Sequence, residues 1–186
     1  MKRKVWTTGA ILCYMLLAFG MQVVNAQGKA TAVSAADKVF RAGASTSNIT
    51  PPLGTPIVGN FTEPLATNIH DELHARCLAL DDGTTKLVFV LVDNVGVNQA
   101  VLDEAKRLIN ERTGLPKTHV LIAAVHDHSA VSAGGAGANR KGWPFGKPFD
   151  EYQTFLIGRI SDGVQIALNR LEPARIGWGV GKLPQH

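Results

Sequence analysis

"KLVFVLVDNVGVNQAVLDEAKRLINERTGLPKTHVLIAAVHDHSA", residues 86–130, is the stretch whose reading decides the fold. Lys86 to Asp93 is an almost unbroken apolar run of strand length. Asn98 is placed to cap a helix running to about Arg112, with Val101, Leu102, Ala105, Leu108 and Ile109 on one face. Gly114 and Pro116 then supply stop signals, and a second apolar strand covers 119–125. Two strands that are apolar on both faces and joined by a helix predict an α/β fold. The expectation is a mixed or mostly parallel sheet with helices covering both sides.

Working outward, "IHDELHARCLALDDG" (residues 69–83) feeds the first of these strands, and Asp81-Asp82-Gly83 is a hairpin turn signal. Further back, "VFRAGASTSNITPPLGTPIVGNF" (residues 39–61) reads as a strand leading into an irregular segment punctuated by Pro51, Pro52, Gly54, Pro56 and Gly59. Such loops lie on surfaces and line sites. Downstream, Asp150 and Gln153 have the spacing of a capping box. The helix they open runs to about Leu171, with Phe155, Leu156, Ile160, Val164, Ala167 and Leu168 at helical spacing. "ARIGWGVGK" (residues 174–182) reads as a last strand whose alternate glycines permit close packing. A polar tail follows with no closing helix, the pattern expected of an incomplete N-terminal portion of a larger domain.

The amino terminus is a separate unit. Lys2, Arg3 and Lys4 precede a largely apolar stretch from Trp6 to Val24, and Val24-Asn25-Ala26 offers a small-x-small cleavage site. Residues 1–26 read as a signal peptide of a secreted or periplasmic protein, with an uncleaved anchor as the second choice, and 27–38 as a disordered leader. Cleavage would leave 160 of the 186 residues and lower the net charge from +4 to +1. The remaining cations are scattered among acids, which argues against a nucleic-acid partner. Cys13 leaves with the signal, so Cys77 has no intrachain disulfide partner and stability must come from a core.

The second strand ends in His126-Asp127-His128. In an extended chain alternate residues share a face, so the two imidazoles are expected on one side and Asp127 on the other. Two such imidazoles suit zinc, either as two ligands or as one ligand beside an acid-base group, and the C-terminal rim of an α/β sheet is where ligands bind. The alternative is a pair of histidines hydrogen-bonded at a strand end. Asp93 closes the neighbouring strand, as an imidazole-orienting carboxylate or as a turn initiator. His70 and His74 have i, i+4 spacing in a segment that reads as extended, which favours structural or edge roles. Ser129 lacks a Gly-x-Ser-x-Gly elbow, Cys77 reads as core, and Trp143 and Phe145 lie in a loop with five glycines between Gly134 and Gly146 that could grip an apolar substrate.

At "HDHSA" the chain resembles the N-terminal part of the neutral/alkaline, non-lysosomal ceramidases, whose signature is His-Thr-His-Ser after an apolar strand. "RAGASTSNITPPLGTPIVGNF", "IHDELHARCLALDDG" and "ARIGWGVG" resemble further segments of that family, so the likeness covers roughly residues 40–183. The resemblance implies zinc-dependent hydrolysis of an N-acyl amide, ceramide giving sphingosine and a fatty acid, with His126 as a zinc ligand and His128 beside the metal holding or shuttling a proton. It also implies a lipid substrate reached at a membrane surface. Asp127 replaces the usual Thr and Val131 a frequent Pro. The family's remaining zinc ligands, a histidine, a glutamate and a tyrosine, have no matching segment here, and the context of His186 does not fit, so this chain by itself is expected to be inactive. Two other readings stay open: a metallohydrolase of the same fold acting on another acyl amide or ester, and a secreted lipid-binding fragment without catalysis.

Overall fold

A computed structural model describes residues 38–134 and 149–182. The expected signal peptide, the leader up to residue 37, the glycine-rich loop with Trp143 and Phe145, and His186 lie outside the described residues. The elements are β1 (Arg41–Asn48), β2 (His74–Asp81), β3 (Lys86–Val92), α1 (Gln99–Thr113), β4 (Val120–Ala124), α2 (Glu151–Asn169) and a short β5 (Glu172–Pro173), with one 3₁₀ turn at Lys117–His119. They form a five-stranded sheet in the order β4-β3-β2-β1-β5.

The local signals act as read. Asp82 Oδ1 accepts the amides of Thr84 and Thr85 at 2.8 and 2.7 Å, closing the β2–β3 hairpin over Gly83 at φ 81°. The Asn98 side chain accepts from Val101 N at 2.9 Å, and α1 stops at Gly114, which takes the left-handed conformation at φ 72°. Both halves of the Asp150–Gln153 capping box are made, at 2.7 and 3.0 Å.

The sheet is mixed, as expected, but antiparallel in most of its pairs. β1–β2, β2–β3 and β1–β5 are antiparallel; β3–β4, joined by α1, is the parallel pair. The expectation of helices on both sides is corrected. Both helices lie on one face, in a single core that joins Ala75, Cys77, Ala79, Val88, Val90, Val92, Val120 and Ile122 to Val101, Ala105 and Ile109 of α1 and Leu156, Ile160, Val164 and Ala167 of α2. The alternate residues Leu78, Leu87, Phe89, Leu91 and Leu121 are exposed on the other face. A short hairpin turn between β2 and β3 carries no helix with which to cover that second face.

The proximity of α2 to β1 and β2 is set by two glycines. A Cβ on Gly163 would stand 2.8 Å from Cys77 Sγ, and one on Gly43 would run into the carbonyl oxygen of Ala167. Ser45 Oγ uses the closeness to donate to Gly163 O at 2.6 Å. The last expected strand is also corrected: pairing with β1 stops at Pro173, and residues 174–182 form no strand. Ile176, Trp178 and Val180 stand exposed there, because no described segment offers a ladder of hydrogen bonds to hold them extended.

Candidate metal-binding rim

The parallel pair β3–β4 ends at one rim, and both chains leave it as turns that interlock. Val95 N donates to Val131 O at 3.0 Å, Ala133 N to Gly96 O at 2.9 Å, and Val58 N, from the proline-rich loop, to Ala130 O at 3.0 Å. The three segments enclose a small second core of Val58, Val95 and Ala130. His126 and His128 sit on this rim, both exposed.

The strand does not extend through them. β4 ends at Ala124, and His126 takes φ 64°, the one non-glycine residue with positive φ among those described. The expected strand alternation therefore fails as a reason. The two rings nonetheless meet edge to face, centroids 4.8 Å apart and planes at 74°, because the left-handed residue turns the chain back on itself. Gly59 makes room: at φ 101° it approaches so closely that a Cβ there would lie 2.8 Å from His128 Cγ. Asn60 Nδ2 donates to His128 O at 3.2 Å. Asp127 is turned to local use, accepting Ser129 N at 2.8 Å.

His126 Nδ1 lies 2.7 Å from Val95 O. A carbonyl oxygen can only accept, so Nδ1 carries the hydrogen, and in the neutral ring Nε2 keeps the lone pair. This is the tautomer a metal-binding histidine needs, fixed by a backbone acceptor. Asp93 does not provide it: its carboxylate accepts His74 N at 2.9 Å and pairs with Arg76, which corrects the orienting role considered for it. The cation drew the carboxylate along the antiparallel ladder instead of across the parallel one.

Other sequence candidates fall away from the rim's chemistry. His70 pairs with Asp71 at 2.7 Å on the surface, while His74 opens β2, so their spacing never becomes helical. Cys77 is buried on the helix-facing side, and burial pushes its thiol up to about 11, against a weaker downward pull from Ser45. No group of three His, Cys, Asp or Glu side chains among the described residues converges to hold a metal. The donor set present is thus one oriented imidazole with a second beside it, which fits part of a zinc shell. Residues missed in the sequence are Val95, whose contribution is a backbone carbonyl and leaves no mark on residue type, and Asn94 and Tyr152, described below. The Asp93-Asn94 pair closing an apolar run was the one signal available.

Beside the turn, a groove of about 430 Å³ runs between Asp127, Ser129 and the loop carrying Pro56, Ile57, Ile69 and His70. That loop is ordered by Gly54 N to Ala66 O and Ile57 N to Pro64 O, both 2.8 Å, and exposes Leu53, Phe61, Leu65 and Ile69.

No protein-family model matches this chain, and no curated protein does. Solved structures do. The fold is similar to part of neutral ceramidase from Pseudomonas aeruginosa, with a TM-score of 0.62 and 23% identity over 74% of this chain. A ceramidase complexed with C2 aligns with a TM-score of 0.60, again at 23% identity and 74% coverage. The chain spans about a fifth of those proteins, 22% of each. The likeness is one of fold: an α/β segment similar to part of these ceramidase structures.

Proposed function

We propose that this chain is the His-x-His-bearing portion of a zinc-dependent amide hydrolase of neutral ceramidase type, which cleaves N-acylsphingosine to sphingosine and a fatty acid. The observation that carries the reading is the 2.7 Å bond from His126 Nδ1 to Val95 O, which leaves Nε2 free as a zinc ligand on an exposed rim. Bound zinc would polarise the amide carbonyl and bring the pKa of its water close to neutral. His128, its ring against that of His126, is placed to hold or pass on the proton released. The remaining ligands would come from outside the described residues.

A lipid substrate is supported by the apolar side chains of Leu53, Phe61, Leu65 and Ile69 on the ordered loop next to the histidines, a segment whose residues 51–69 include one charged side chain, Glu63. Contact with a membrane surface and export directed by residues 1–26 belong to the same proposal.

The test is zinc affinity, measured by competition with a chromophoric chelator, together with turnover of long- and short-chain N-acylsphingosines by the longest natural form of the protein. His126→Ala is expected to weaken zinc binding by about 100-fold or more and to abolish turnover. Equal zinc affinity in wild type and variant would remove the assigned ligand; turnover indifferent to the acyl chain would point to the broader acyl-amide or ester hydrolase.

A further inference from the structure

We infer that Asn94 and Tyr152 are positioning residues for His126, holding its imidazole with Nε2 turned outward; the inference rests on the reading above for the identity of the ligand alone. Asn94 follows the end of β3 and is completely buried. Both polar atoms of its side chain are hydrogen-bonded. Oδ1 accepts Gly96 N at 3.3 Å and Ala133 N at 3.0 Å, and Nδ2 donates to Tyr152 Oη at 3.2 Å. Tyr152, in the first turn of α2, donates in turn to Ile49 O at 3.1 Å, just past the end of β1. Burial pushes its phenol well above the ordinary range, so it remains a donor at any physiological pH. Gln153 completes the clamp through Nε2 to Ala133 O at 3.3 Å.

The turn after β3 is thereby pinned to α2, to the end of β1 and to the segment after His128. That turn carries both groups that hold His126. Asn94 O accepts His126 N at 3.1 Å, and Val95 O accepts Nδ1–H. The left-handed backbone at His126 is strained for a residue with a Cβ, and these two bonds oppose its relaxation. The side-chain bonds end on the backbone of Gly96, Ala133 and Ile49, and the ring nitrogen is reached through the backbone of the turn that they hold. Removing the clamp frees the Val95 carbonyl to move, and with it the acceptor that selects the tautomer.

The experiment uses the full chain labelled with ¹⁵N-histidine, metal-free and at a pH where the rings are neutral. In the wild type His126 is expected as the Nδ1–H tautomer. Tyr152→Phe, which keeps the ring and removes the hydroxyl, is expected to shift His126 toward a mixture of tautomers and to weaken zinc binding by about 10-fold; Asn94→Ala extends this to about 100-fold. Ile160→Val, a core change elsewhere on α2, should leave the tautomer as in the wild type while lowering stability. A folded Tyr152→Phe chain with wild-type tautomer and zinc affinity overturns the inference, and it carries the test even where Asn94→Ala does not fold. Tight zinc binding of equal affinity in wild type, Tyr152→Phe and Asn94→Ala likewise overturns positioning and leaves the metal reading intact. A tautomer shift in a chain that binds no zinc sustains positioning and removes the metal.

Discussion

The two faces of the sheet use much the same kind of residue and meet different fates. Along β3, Val88, Val90 and Val92 point to the helices and are at most 1% exposed, whereas Leu87, Phe89 and Leu91 between them are 37 to 47% exposed. The covered face is also the one with small side chains: Gly43, Ser45, Ala75, Cys77 and Ala79 let α2 come down almost onto the backbone. The larger Leu and Phe side chains stand where no described element approaches. Volume, more than hydrophobicity, distinguishes the face that receives a helix, because interiors are packed to crystal-like density and a helix settles where its backbone can come near.

Three experiments sharpen or break that contrast. The largest effect is expected from Gly43→Val, whose side chain would collide with the backbone of α2: a loss of about 3 kcal/mol or more in denaturant unfolding. A loss below about 1 kcal/mol would show that α2 is free to move away.

Next comes Cys77. Its thiol ionises near 9.0 in the unfolded chain and about 11 in the fold. The unfolded state therefore releases its proton first as pH rises. Stability is unaffected by this group below about pH 9 and falls between 9 and 11, by about 2 kcal/mol in order of magnitude, a slope that Cys77→Ala should lack. In the native state the thiol should resist alkylation at pH 8 until denaturant is added; rapid labelling would mean that the covered face opens readily.

The smallest effects come from a matched pair on β3. Val90→Ala is expected to cost about 2 kcal/mol and Leu91→Ala less than about 1 kcal/mol, although leucine is the larger side chain. A reversal, read from unfolding midpoints, would indicate that the open face is covered in solution.

The sequence made the elements legible wherever the signal was local. Asn98, Gly114, Asp150 with Gln153, and Asp82 with Gly83 act within four residues of their partners, and each forms the cap or turn expected of it. It misled where a partner was required. An apolar strand implies two covered faces, but residue type does not say whether the second cover lies within reach, so β3 and β4 suggested helices on both sides. Asp93 illustrates the same limit: a carboxylate at a rim has several neighbours, and Arg76 on the antiparallel strand took it before the imidazole could.

What the sequence by itself determined is the four longer strands and both helices, the short connections that order them, and the presence of two histidines at the close of an apolar strand; the strand expected at 174–182 did not form. Tertiary structure alone decided which sheet face the helices cover, and it replaced the expected extended His-x-His with a left-handed residue whose ring nitrogen is held by a carbonyl thirty-one positions earlier. Capping and turn preferences act over a few bonds and are written in residue type. The choice of a backbone acceptor, and of a face, depends on which distant segments arrive, and a carbonyl is the same in every residue.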